Sequence, residues 1–472
     1  MKYYLFFALL VFGTLVAGAQ SKFNVLNYGA VGNGKVNDAA AIQKAINACS
    51  AAGGGQVLIP AGHVFLAGPF ALKSFVELRV EGGARILASP DESLYTESAF
   101  GANKGEGTVW IGGKNLEQVS ITGTGVLDGN GISFMGEELL DSYVLKPFNV
   151  VDPRPHLLTL IGCRKINIDG VTLQNSAYWT LHLIGCNDVS VSNISLLNSI
   201  KIRNSDGIDI DHSKNVRITN CFIESGDDCI CLKNRREFES HGPCENIVIS
   251  NCTMTSSSCA IKIGSENMDR ISKVLVNNCN IRSSNRGIGI QNRDEGTVSD
   301  VVFSNILIES KLFSDVWWGK SEPIYITAFP RATGNNKDAG WRLPKGKTKG
   351  EVGSVKNIYF SDIRCVGESG VYVSAASADK ISDIHFDQIS VLIDKTTNLP
   401  GGVYDRRPSN VEGLVKSAIA GFHFENTGYI SLKNSEVIWG KSKPSYAGNA
   451  VETKNVSKLE KTNFVERTVS GR

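Results

Sequence analysis

Hydrophobic residues return along the middle of this chain at a nearly fixed spacing, each followed four residues later by an asparagine. The anchors are Val189, Val216, Ile247, Val274 and Val301, followed by Asn193, Asn220, Asn251, Asn278 and Asn305. Successive anchors lie 27, 31, 27 and 27 residues apart, within the range of repeats whose units stack into a solenoid. A second pattern aligns further along each unit: Ile208-Asp209-Ile210, Ile230-Cys231-Leu232, Ile261-Lys262-Ile263 and Ile288-Gly289-Ile290. Short alternating runs separated by Gly-rich turns are strands rather than helices. The prediction is an all-β chain wound as one parallel β-helix. Coils begin near residues 56–59, and Ile358 and Ile384 anchor two later turns. Ahead of them Ile42, Ala45, Ile46 and Cys49 form one apolar face behind Asn37 and Asp38. This predicts a helix over 39–50 that covers the solenoid's open edge.

Two stretches depart from the period. The step from Val301 to Ile358 is 57 residues, one repeat plus an insertion over 312–350. It carries Trp317, Trp318, Glu322, Arg331 and Trp341, is locally basic, and reads as a lid or side wall. Beyond Gly401 the pattern fades, with a last strand expected near 429–432 and a loosely held charged tail from Lys454.

Residues 1–19 read as an export signal: Lys2, an apolar run over 5–16, then Ala17-Gly18-Ala19. The expectation is a secreted or periplasmic protein whose single domain covers 20–472. No lipid or membrane anchor is expected, because the apolar run is too short to span a bilayer. A formal charge of +2 argues against nucleic acid as the main partner. An exported chain with 11 cysteines ordinarily suggests disulfides. Here Cys221, Cys252 and Cys279 each follow a ladder asparagine, and Cys163, Cys186 and Cys244 each precede an anchor by three residues. Columns of this kind suit small buried hydrophobes, so free thiols are expected.

The candidate chemistry lies in two phrases, Asn204-Ser205-Asp206-Gly207 and Ser225-Gly226-Asp227-Asp228-Cys229. The register sets Asp206 beneath Asp228 on neighbouring coils roughly 4.7–4.9 Å apart, with Asp227 alongside. Crowded carboxylates repel and raise a pKa, which a general acid requires and a stable fold does not. A calcium site or a solvated turn is the competing reading, though calcium wants more oxygen ligands.

With the start Phe23-Asn24-Val25, these phrases resemble the polygalacturonase family of pectin-cleaving enzymes, glycoside hydrolase family 28. The resemblance implies a right-handed parallel β-helix and inverting hydrolysis of an α-linked, uronate-containing polysaccharide, without metal or organic cofactor. Asp227 then matches the general acid, Asp206 and Asp228 the carboxylates that activate water, and Asn204 a sugar contact. The family's His position falls on Cys259, and its Arg-Ile-Lys carboxylate clamp on Gly289-Ile290-Gln291, flanked by Arg286 and Arg293. The lost clamp points away from plain homogalacturonan, and Cys259, Gln291 and Arg293 become candidate substrate contacts. Lys262 stands in the column of Gly289 and Lys233 in that of Gln291, with Lys262 the better relocated anion contact. Trp179, in the column of Asp206, is a candidate stacking floor. The expected partner is an acidic plant or algal polysaccharide or its oligosaccharides, met by a monomer. A polysaccharide lyase and a non-catalytic glycan-binding β-helix are the competing functions. The first would want a basic residue in the core phrases, and the second has no use for three stacked acids.

Overall fold

The computed structural model describes residues 21–100, 106–139, 148–313, 317–333 and 349–469. The expected signal over 1–19 and Trp341 lie outside the described residues. Both columns read from the sequence are hydrogen-bonded parallel ladders. Val189 pairs with Val216, which is followed in turn by Ile247, Val274, Val301, Ile358 and Ile384. Ile208 pairs with Ile230, which is followed by Ile261, Ile288 and Ile324. The architecture is a parallel β-helix, and the buried side chains of both ladders merge into one apolar core along its length.

The coils bend at the asparagines for a local reason. Asn193, Asn220, Asn251, Asn278 and Asn305 all have φ between 53° and 56°, a left-handed conformation that asparagine tolerates better than most residues. Their amides also satisfy one another between coils. Asn220 donates to Asn193 at 3.3 Å, Asn251 to Asn220 at 3.3 Å, and Asn305 to Asn278 at 2.7 Å.

The helix Ala39–Ala51 turns Ala41, Ile42, Ala45, Ile46 and Cys49 into the core, covering the first coil. Its start is shared between the two polar residues. Asn37 accepts from the Ala39 N–H at 3.1 Å, whereas Asp38 accepts from Val31 and Gly32 at 2.7 and 3.0 Å and fixes the Gly-rich turn.

Two expectations are corrected. The 312–350 stretch is not one insertion, because Ile324–Ala328 is a ladder strand paired with Arg286–Asn292. Separate excursions flank that strand. The charged tail is not loose either: Val451–Thr462 pairs in parallel with Phe422–Lys433, and Val465–Thr468 with Glu436–Trp439. Lys454 pairs with Glu425 at 2.9 Å and Lys458 lies over the Tyr429 ring on the preceding coil, while Lys461 stands in the column of Leu432. Charges along such a strand discourage further strand addition. Every one of the eleven cysteines is a buried free thiol.

Candidate active site

Parallel stacking brings the three aspartates together. The Gly207 N–H donates to the Asp228 carbonyl at 2.8 Å and that of Ile208 to Cys229 at 2.9 Å, fixing Asp206 one coil from Asp228. The turn between the phrases is tied by Ser225, whose hydroxyl donates to the Ser205 carbonyl at 2.6 Å and accepts from the Asp227 N–H at 3.2 Å. Gly226 is required here, since a Cβ would sit 2.2 Å from the Ile202 carbonyl oxygen. Asn204, at φ 61°, donates its N–H to Asp227 Oδ2 at 3.0 Å. One carboxylate oxygen of each of Asp206, Asp227 and Asp228 lies within 4.8 Å of the other two.

Two lysines offset this charge. Lys262 Nζ is 2.7 Å from Asp228 Oδ2, and the Ser258 hydroxyl donates to Asp228 Oδ1 at 3.0 Å. Lys233 Nζ is 3.0 Å from Asp209 Oδ1 and 3.6 Å from Asp206 Oδ2. One ammonium thus serves two buried carboxyls. Burial, followed by Asp209 and Asp227, pushes Asp206 well above the usual carboxyl range. Burial raises Asp209 to about 7 against the pull of Lys233. Asp227 is raised by burial and by Asp228. Glu266 goes the other way: against burial, Lys233, Arg235 and Arg331 hold it down at about 2. Asp206, Asp227 and Asp228 are the residues that would hold a metal ion, but two ammonium groups already face them, and a divalent cation would meet that repulsion.

The cluster opens into a cleft of about 450 Å³, a size suited to a small ligand. Its walls include Tyr178, Trp179, Arg203, Arg235, Trp318 and Arg407. Trp317 donates its indole N–H to the Gly226 carbonyl, pinning its loop beside the aspartates.

Several candidates have other work than sequence suggested. Trp179 lines the cleft, but Lys233 Nζ sits 3.8 Å above its ring and His182 meets it edge-on, so its face is not an open stacking floor. Lys262 spends its charge on Asp228 rather than standing free for an anion. Gln291 donates to the Arg407 carbonyl at 2.6 Å. Arg293 is fully buried, donating to the carbonyls of Pro408 at 2.6 Å and Arg406 at 3.0 Å. Arg286 reaches the Asp405 carbonyl at 2.9 Å. The stretch aligned with the family clamp therefore grips the backbone of 405–408. It presents Arg407 to the cleft, where that guanidinium pairs with Asp405 at 2.7 Å. Cys259 is buried, its thiol turned to the Ile261 carbonyl at 3.1 Å, which withdraws it as a substrate contact. Sequence reading passed over Arg203, Arg235, Tyr178 and Arg407 as site residues. Arg203 had a signal, its place directly before Asn204; Arg407 had none, because it arrives from outside the repeat.

A family model described as Glycosyl hydrolases family 28 matches residues 49–316. The chain is 32% identical over 273 residues to a probable polygalacturonase of Vitis vinifera, covering 53% of each chain. It is 27% identical over 242 residues to a probable endo-xylogalacturonan hydrolase A of Neosartorya fischeri, covering 50% of this chain and 53% of the other. The match thus spans about half the length of these curated relatives. In fold it resembles a hyperthermoactive exopolygalacturonase from Thermotoga maritima, with a TM-score of 0.63 at 23% identity, covering 79% of this chain and 87% of that one.

Proposed function

The chain belongs to glycosyl hydrolases family 28, and on that premise we propose that it is an exported, inverting glycosidase of pectic polysaccharide or its oligosaccharides. The observation that carries this reading is the trio Asp206, Asp227 and Asp228 at the wall of a cleft, with oxygens within 4.8 Å of one another. Asp227, half-buried and raised by burial and Asp228, is suited to hold a proton and give it to the leaving oxygen. Asp228 accepts from Lys262 and Ser258, an arrangement that fixes its oxygens to receive a proton from water. Asp206 orients that water from the neighbouring coil. The nearest-oxygen distance is shorter than the roughly 6.5–9.5 Å carboxyl separation of inverting enzymes. Product stereochemistry, not this distance, decides between inversion and retention.

The proposed substrate is a uronate-containing chain other than unbranched homogalacturonan. Gly289 offers no side chain, and Gln291 and Arg293 are spent on the 405–408 backbone. The similarity to a probable endo-xylogalacturonan hydrolase supports a branched pectic substrate. The test is a panel of polygalacturonate, xylogalacturonan and rhamnogalacturonan oligosaccharides, followed by reducing-end release and ultraviolet absorbance. New reducing ends without unsaturated uronate, and faster release from a branched or mixed chain than from polygalacturonate, are expected. Unsaturated product would make the chain a lyase. Efficient cleavage of polygalacturonate alone would overturn the specificity.

A further inference from the structure

Five cationic side chains line the cleft, and four of them have a carboxylate partner. Lys233 faces Asp209 at 3.0 Å, Lys262 faces Asp228 at 2.7 Å, Arg235 faces Glu237 at 2.7 Å, and Arg407 faces Asp405 at 2.7 Å. The fifth, Arg203, has neither an ion pair nor a side-chain hydrogen bond among the described residues. Its Nε is buried without a partner. The guanidinium is partly desolvated beside Arg154, which lowers its pKa, while Asp227 acts in the opposite sense. An arginine left half-dry and unpaired costs stability, and a bidentate carboxylate is the ligand its planar fork fits best.

The backbone that carries Arg203 is held in place. Arg154 donates to the Arg203 carbonyl at 3.3 Å and to Asn204 Oδ1 at 3.2 Å, and its guanidinium lies 4.6 Å from the Tyr178 ring centre. Asn204 in turn donates to Asp227. Arg203 is thereby fixed one residue from a contact to the proposed acid.

We propose that Arg203 recognises the carboxylate of a uronate sugar in the cleft, on the opposite phrase from the stretch that carries the clamp elsewhere in the family. This rests on the glycosidase reading for its catalytic meaning, but not for the binding it predicts. A uronate carboxylate beside Arg203 would be anchored next to Asp227, which makes Arg203 a specificity residue rather than a group that moves a proton.

The test separates the two readings. Binding of galacturonate, a product that cannot be hydrolysed further, and of neutral galactose is measured by calorimetry on the full chain and on Arg203→Met and Arg203→Lys. Arg203→Met should weaken galacturonate about 10- to 100-fold and leave galactose unchanged, with Arg203→Lys intermediate. Unfolding midpoints of the variants should not fall below the parent's, since the side chain makes no ion pair or side-chain hydrogen bond among the described residues. kcat/KM on an acidic pectic oligosaccharide should fall by a similar factor, and that on its methyl ester should not. An equal loss on acid and neutral ligands, no loss, or no measurable galacturonate binding by the parent overturns the assignment. If the chain cleaves no pectic substrate yet Arg203→Met abolishes galacturonate binding, the hydrolase reading falls and the uronate site stands.

Discussion

Asp227→Asn is expected to lower kcat by about 10²–10⁴-fold, because an amide cannot supply the proton that a general acid contributes. The fold should not change. Asp227 Oδ2 accepts from Asn204 and Oδ1 from Asp228 N–H, and the amide oxygen keeps one of these bonds. KM should move little, since Asp227 works on the leaving oxygen in the transition state. The parent should also lose activity as pH rises through the raised Asp227 pKa, and this limb should vanish in any residual activity of the variant. Turnover retained within a few-fold on the best pectic substrate would remove Asp227 from the role of acid.

The second large effect falls on stability. Lys233→Met is expected to cost about 3–5 kcal/mol at neutral pH, the range seen when one partner of a buried pair is removed. Lys233 is 5% exposed, and its loss leaves Asp209 and Asp206 facing each other with no cation between them. The sign with pH follows from linkage. Asp209 is raised to about 7 in the folded chain, so between its unfolded value near 3.9 and that pH the folded state holds the extra proton. Its contribution to stability is therefore full at low pH and lost as pH rises. Without Lys233 the folded pKa rises further, so the penalty should be larger at about pH 8 than at about pH 5. Lys233→Met with Asp209→Asn should recover most of the loss, because the second change removes the stranded charge. Chemical denaturation of the single and double variants at both pH values measures this. A penalty independent of pH and unrelieved by Asp209→Asn would mean that Lys233 acts through packing on Trp179 alone.

The aspartate trio was legible because the period is strict where it matters. With Ile208 under Ile230, the positions of Asp206 and Asp228 follow from counting. The same counting correctly put Lys262 in the column of Gly289 and Trp179 in that of Asp206. What counting cannot supply is the side chain's partner. Lys262 turned to an acid within the cluster, and the ring of Trp179 was covered by Lys233, a residue from two coils away. Gln291, in the stretch aligned with the clamp, and the flanking Arg293 were read as candidate substrate contacts. Their use depends on the 405–408 backbone, more than 100 residues downstream and outside the repeat. The tail misled for a different reason. Its charges looked like a solvated end, yet the backbone pairs in parallel with the preceding coil and Lys454 bonds back to Glu425.

The central claim is that these three carboxylates invert an α-glycosidic bond, and the first-formed anomer tests it most directly. Proton NMR of the early reaction on the α-linked pectic oligosaccharide cleaved fastest should show the β-anomer of the new reducing end before mutarotation. An α-anomer as the first product, or an unsaturated uronate in its place, would contradict the account.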